Sequence, residues 1–185
     1  MINKKILVSG WFDYAHSFSF VNLLQINEML KLENTVYRSD RAPLFENWIK
    51  NKSSIRADPF YHKIINKLKP ANQIEFYDIA IDIAVPLHPL PFLAAKKIGF
   101  LVSEYGVLSP QYLKAIGGID QLQKNINQFD QIYTPSLWSK KSFENTGISI
   151  ERFKVIHHGG NNPNIKSAPR ELQRELREQI CNKLN

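Results

Sequence analysis

Four of the chain's five histidines, one glutamate and an early glycine are the side chains best suited to chemistry. An imidazole titrates near neutrality, so it can take up, release or share a proton at physiological pH. His16, His88 and His158 fall in segments that read as loops following buried strands, and His157 sits at the edge of one. His88 opens the run His88-Pro89-Leu90-Pro91, where it either orients a ligand hydroxyl or simply holds a turn. Glu104 stands just past an apolar stretch. It reads as a general base if it faces a cleft and as a surface glutamate if it does not. In Gly10-Trp11-Phe12-Asp13, Gly10 would let the backbone approach a phosphate, or would ease a tight strand-to-helix turn. The spacing there is not that of a dinucleotide-binding fingerprint. Asp13 and His16 share this first loop, and Ser136 lies in a later one. His157 and His158, beside Gly159 and Gly160, read as hinge or pocket residues. As neighbours on an extended chain their side chains diverge, so they make a poor metal pair. No phosphate-binding P-loop and no Ser-His-Asp spacing is present. The residues therefore predict a binding or transfer site with no metal and no resident cofactor.

These candidates matter only if the fold brings them together. Lys4–Gly10 reads as a buried strand, and Ser17–Lys31 as a helix on the spacing of Leu23, Ile26 and Leu30 with Phe20 and Met29 beside them. Thr35–Tyr37 predicts a second strand, and Ala42–Lys50 and Pro59–Leu68 predict short helices, the second closed by Pro70. Ile79–Val85 is the clearest central strand. A short helix over Phe92–Lys97 and a strand over Phe100–Ser103 are expected next, then helix over Pro110–Asn127 broken at Gly117-Gly118. Asp130–Thr134 predicts a strand, Trp138–Asn145 a helix ended by Gly147, and Phe153–His157 the last strand. About six strands alternating with helices imply a single Rossmann-like, doubly wound parallel α/β sheet. Residues 1–160 form this domain on that reading. Residues 161–185 form a hinge followed by an amphipathic helix over Pro169–Leu184, capped by Ser167, with Leu172, Leu176, Ile180 and Leu184 in one stripe. In an open parallel sheet, ligands bind at the carboxyl ends of the strands. The loops Gly10–Ser17, Val85–Pro91, Ser103–Ser109, Thr134–Trp138 and His157–Asn161 are therefore the candidate rim.

Composition narrows the classes further. The chain has 185 residues, 43% of them hydrophobic and 22% charged, which excludes general disorder, collagen and coiled coil. A single cysteine, Cys181, excludes a disulfide framework and any multi-cysteine metal site. No apolar run reaches the roughly 20 residues of a membrane span, and the short apolar stretch near the N-terminus is below that of a signal peptide. A cytoplasmic location is expected. The net charge of +7 is spread along the chain without a dense basic block. It suits nucleotide phosphates or an anionic membrane face, or is simply a lysine-rich solvated surface. Without a nucleic-acid motif or basic–aromatic interleaving, no nucleic-acid partner is expected.

Two stretches carry a more specific signal. One is Asp130-Gln-Ile-Tyr-Thr-Pro-Ser-Leu-Trp-Ser-Lys-Lys-Ser-Phe, followed by Gly147-Ile-Ser-Ile-Glu-Arg-Phe-Lys-Val-Ile-His-His-Gly159-Gly160. The other is Ala94-Ala-Lys-Lys-Ile-Gly-Phe-Leu-Val-Ser-Glu104. Together they resemble the end of the N-terminal domain of GT-B glycosyltransferases, nearest to the retaining group 1, or family 4, type. Two departures stand out: the hinge reads Gly159-Gly160-Asn161 where the family has Gly-Val-Asp, and Glu104 stands where a histidine often occupies the cleft loop. The resemblance implies the acceptor-binding half of an enzyme that moves a sugar from a nucleotide-sugar; from the residues themselves, catalytic roles are expected at Glu104 and His88. Substrate contacts are implied at Gly10, Asp13, His16, Ser136, His158 and Gly159. It implies a sugar or lipid-linked acceptor, a nucleotide-sugar as co-substrate once a donor-binding half is supplied, and peripheral membrane contact. That half is expected on a partner chain or through homo-oligomerisation; a shortened, inactive product is the other expectation. A non-catalytic Rossmann-like binding or partner-subunit module is the alternative.

Overall fold

Strand β1 (Lys5–Gly10) is buried from Ile6 onward, and its apolar residues alternate between two packed faces. Strands buried on both sides are the mark of a parallel sheet with helical layers. The computed structural model describes residues 3–13, 16–42, 58–103 and 105–157. After β1 come α1 (Ser17–Lys31), β2 (Thr35–Asp40), α2 (Pro59–Ile65), β3 (Lys69–Pro70), β4 (Phe76–Ile83) and β5 (Leu93–Phe100). Then follow α3 (Pro110–Ala115), α4 (Ile119–Ile126), β6 (Gln131–Thr134), α5 (Leu137–Asn145) and β7 (Phe153–Val155). The strands form one seven-stranded sheet in the order β3-β2-β1-β4-β5-β6-β7, parallel throughout. This is a Rossmann-like α/β fold.

One face carries Ile6, Val8, Ile81, Ile83, Ile98 and Phe100, which pack against Leu23 and Ile26 of α1 and Ile64 and Ile65 of α2. The opposite face carries Leu7, Tyr77, Ala80 and Ile132, packed on Leu122 and Ile126 of α4 and Phe143 of α5. Helix α1 presents Ser19, Asn22, Leu23 and Ile26 inward, so the N-terminal half of its buried face is polar. Leu30 is only partly buried and Phe20 is exposed, resting on Tyr61. Helix α5 stops where the sequence predicts: Gly147 takes φ 91°, and the amides of Gly147 and Ile148 turn back to Glu144 and Phe143.

Several expectations are corrected. Phe92–Lys97 is not a helix, because Leu93–Phe100 is a strand. Ala94, Ala95, Lys96 and Lys97 favour helix intrinsically, but the ladder to β4, from Phe76↔Leu93 to Asp82↔Gly99, overrides that preference. Consequently the strand expected over Phe100–Ser103 ends at Phe100, and the crossover from β4 to β5 contains no helix. Among the described residues there are seven strands, against about six expected. The extra one, Lys69–Pro70, is a two-residue edge strand in the place read as a helix stop, and a sheet edge tolerates proline. Helix α2 correspondingly ends at Ile65, and β2 runs on to Asp40. β7 ends at Val155, short of His157. The expected helix over Ala42–Lys50 lies outside the described residues save Ala42, and the hinge and helix of 161–185 lie wholly outside them.

Gly10 sits where α1 crosses the end of β1. An added Cβ would fall inside contact distance of the Asn22 amide nitrogen and 2.7 Å from the Ile83 carbonyl oxygen. Asn22 uses that nitrogen to donate to the Trp11 carbonyl at 2.9 Å, clamping helix, strand and loop together. Gly10→Ala is therefore expected to destabilise the chain by roughly 1–3 kcal/mol through overpacking. Urea unfolding checks this; an unchanged midpoint would mean that α1 does not approach β1 this closely.

Candidate functional site

The strand order reverses between β1 and β4: the chain winds outward from β1 to β3 and returns on the other side of β1 with β4. Crevices at such switch points, beyond the carboxyl ends of the strands, are where open α/β sheets bind ligands. Here the β1 end supplies Ser9, Gly10 and the loop to Asp13. β4 supplies Asp82 and the loop through His88, and the end of β2 supplies Asp40 and Arg41.

Two charged groupings flank the crevice. In the first, Ser9 and Asp82 are register partners, both buried. The Asp82 carboxylate is fully buried, and neither oxygen makes a well-formed hydrogen bond. The Arg41 guanidinium lies 3.7 Å away and also donates to the Pro86 carbonyl at 3.4 Å. Burial raises the Asp82 pKa from 3.8 to about 6. The Arg41 charge, the Ser9 hydroxyl and the His88 backbone amide pull the other way without cancelling it. Partial burial and the nearby Arg41 charge lower the pKa of His88, which favours the neutral ring. The His88 side chain is exposed at the rim.

In the second grouping, Arg38 bridges Asp40 at 3.0 Å and Asp13 at 3.6 Å and covers the Phe12 ring, 5.4 Å from its centroid. Asp13 is buried. The groupings are tied together through backbone. The Arg41 amide donates to the Gly10 carbonyl at 2.9 Å, and the Trp11 indole donates to the Ala42 carbonyl at 2.9 Å.

Gly10, Asp13, His16 and His88 thus gather at the switch point, but with different duties. Gly10 makes room for Asn22. His16 is the N-cap of α1; its Nδ1 accepts from the Phe18 amide at 3.2 Å, and its ring stands edge-on to Trp11. Ser136 lies further along the edge and caps α5, accepting from the Ser139 amide at 3.0 Å. Packing and capping account for the residue types of Gly10, His16 and Ser136 without a ligand. His157 lies by Pro135, with its Nδ1 3.1 Å from that residue's carbonyl oxygen. Glu104, His158 and Gly159 lie outside the described residues.

Ser103, just beyond β5, is anchored by serines of α5. Ser139 Oγ accepts from the Ser103 amide at 2.7 Å, and Ser103 Oγ and Ser142 Oγ are 2.7 Å apart. Among the described residues no group of three or more His, Cys, Asp or Glu side chains is arranged to hold a metal, and no helix is long and apolar enough to cross a membrane.

Sequence reasoning missed Asp82, Arg41 and Arg38. For Asp82 a signal existed: it is the one charge inside the apolar run Ile79–Val85. The two arginines carried no local signal, because their role depends on β2 lying beside β1.

No family model matches the chain, and no curated protein matches it. Among solved structures it is similar to Anabaena Alr3699/HepE, determined in complex with UDP and glucose, with a TM-score of 0.46 and 14% sequence identity. The match covers 96% of this chain and 50% of that one, so the chain spans about half the length of that structure.

The raised pKa of Asp82 has a definite sign. A folded-state value above the unfolded one contributes stability that is complete below about 3.8 and is lost as pH rises through about 6. Comparing the chain with Asp82→Asn by urea unfolding at several pH values between 4 and 8 isolates this contribution. The stability difference should move in favour of the unmutated chain as pH falls, by on the order of 2 kcal/mol. A difference that is flat, or that moves the other way, would contradict the burial of this carboxylate.

Proposed function

We propose that residues 1–160 are the acceptor-binding half of a glycosyltransferase that moves a sugar from a nucleotide-sugar to a sugar or lipid-linked acceptor. The observation that carries the reading is the gathering of Asp82, Arg41, His88, Asp13 and Arg38 at the β1–β4 switch point. The resemblance of the segments around 94–104 and 130–160 to the group 1 GT-B type supplies the chemistry. A donor-binding half, on the same polypeptide or on a partner, would complete the site.

In this reading the exposed, neutral His88 ring faces the acceptor. The acceptor hydroxyl oxygen bonds to the anomeric carbon as the bond to the diphosphate breaks, and the hydroxyl proton passes to the imidazole. Asp82 and Arg41 are positioning residues. Asp82 faces Arg41, which donates to the Pro86 carbonyl at the base of the His88 loop and whose charge favours the neutral imidazole. Glu104, just past an apolar stretch in the sequence, is a second base candidate. His158 and Gly159 enter this reading only as substrate contacts expected from the sequence. The diphosphate leaves as an anion, and the positive net charge of the chain favours its approach.

One observation favours a second reading, a binding module without chemistry. The described carboxylates around the crevice are buried or face arginines, as Asp13, Asp40 and Asp82 all do. Titration calorimetry with a panel of mono- and disaccharides and alkyl glycosides separates the two. The glycosyltransferase reading expects saturable saccharide binding that His88→Ala weakens about tenfold, or about 1.4 kcal/mol, with the fold intact by circular dichroism. Binding of nucleotides or proteins but of no saccharide would favour the second reading and overturn the first.

A further inference from the structure

The chain leaving β5 and the first turn of α5, which follows β6, meet at the carboxyl edge of the sheet. They touch through a glycine and an indole. A Cβ added at Gly106 would lie 3.7 Å and 3.8 Å from Cζ2 and Cη2 of Trp138. The rest of that side chain is open: Trp138 is 62% exposed, and Tyr105, beside Gly106, is 67% exposed. Val107 and Leu137 are exposed next to them. Large apolar side chains gathered in the open, rather than scattered singly, mark a surface that binds something.

The patch is fixed in place by polar bonds beneath it. The Asn145 side-chain amide donates to the Gly106 carbonyl at 3.1 Å, and the Leu108 amide donates to the Thr146 hydroxyl at 2.9 Å. Ser103, itself bonded to α5, donates its hydroxyl to the Tyr105 carbonyl at 2.9 Å. The charges of α5 are engaged elsewhere. Lys140 donates to the Phe153 carbonyl at 3.2 Å, and Lys141 lies 3.9 Å from Glu144.

We propose that Trp138 and Tyr105 are a stacking platform for a second sugar ring of the acceptor, so that the acceptor is a chain of two or more sugar residues. The proposal rests on the acceptor-binding reading above and narrows its substrate class. An aromatic face with no charge directed at it suits a neutral ligand with an apolar face. The C–H groups on one side of a sugar ring provide such a face, slightly positive where the indole face is slightly negative. A platform already held in place loses little freedom on binding. Position fits as well. β4 leads to His88 and β6 leads to Trp138, and only β5 separates them, so the strand ends stand roughly 10 Å apart along the edge. That span exceeds one sugar ring, so a ring at His88 needs a neighbour to reach Trp138.

Titration calorimetry with methyl glucoside, methyl mannoside and methyl galactoside, and with their disaccharides and trisaccharides, tests this. Disaccharides should bind more tightly than the methyl glycosides. Trp138→Ala should weaken disaccharide binding about tenfold and change methyl glycoside binding by less than about twofold, whereas Trp138→Phe should keep most of the gain. His88→Ala should weaken both classes. Circular dichroism checks that each variant is folded. Saccharide binding that His88→Ala weakens, but whose dependence on chain length survives Trp138→Ala, would overturn the platform and leave the acceptor reading standing. No saccharide binding at all would overturn both. Sedimentation velocity separates a protein contact: self-association lost in Trp138→Ala, with saccharide affinity unchanged, would make the patch a protein interface and overturn the proposal.

Discussion

The pairing of β1 with β4 is the constraint on which the crevice depends. The two strands lie far apart in sequence, yet their register sets Ser9 opposite Asp82 and Gly10 opposite Ile83. Shifting that register by one residue would turn Asp82 into the layer of Ile6, Val8, Leu23 and Ile26, where nothing could meet its charge. In the observed register it shares a face with Ser9 and lies within reach of Arg41. A buried carboxylate is a costly way to build a sheet, but here it selects one alignment and fixes the two loops that frame the crevice. The close approach of Asn22 to Gly10 adds the helix to the same joint.

Much of this architecture is legible in the sequence, and the failures have identifiable causes. Ser17–Lys31 reads correctly because the spacing of Leu23, Ile26 and Leu30 follows the helical period. The helix over Leu137–Asn145 reads correctly because Gly147 supplies the left-handed stop. Leu93–Phe100 misleads, since alanine and lysine carry helix preference while a neighbouring strand supplies hydrogen bonds that no local pattern reveals. Lys69–Pro70 is too short to leave a period at all. The parallel sheet itself follows from alternation of strand and helix, although the crossover between β4 and β5 breaks that alternation.

The site divides along the same line. His88 is legible because a histidine before Pro-Leu-Pro at a strand end is an unusual local pattern. Gly10, His16 and Ser136 are equally visible, but their residue types serve tight packing and helix caps, which produce the same sequence signs as ligand contacts. The charged pairs are the harder part. Arg38 with Asp13, and Arg41 with Asp82, form across strands that meet only after folding, so neither spacing nor composition announces them. A lone aspartate in an apolar strand was the one sign available, and it marks the place where the sheet accepts a cost in order to build a crevice.

On the proposed reading, ligand binds between the Trp11–Asp13 loop and the Leu87–Leu90 loop. A crystal structure of the chain grown with a bound saccharide tests this most directly. The account predicts sugar density in that crevice with a hydroxyl within hydrogen-bonding distance of the His88 ring. Ordered sugar bound elsewhere, with the β1–β4 crevice empty, would contradict it.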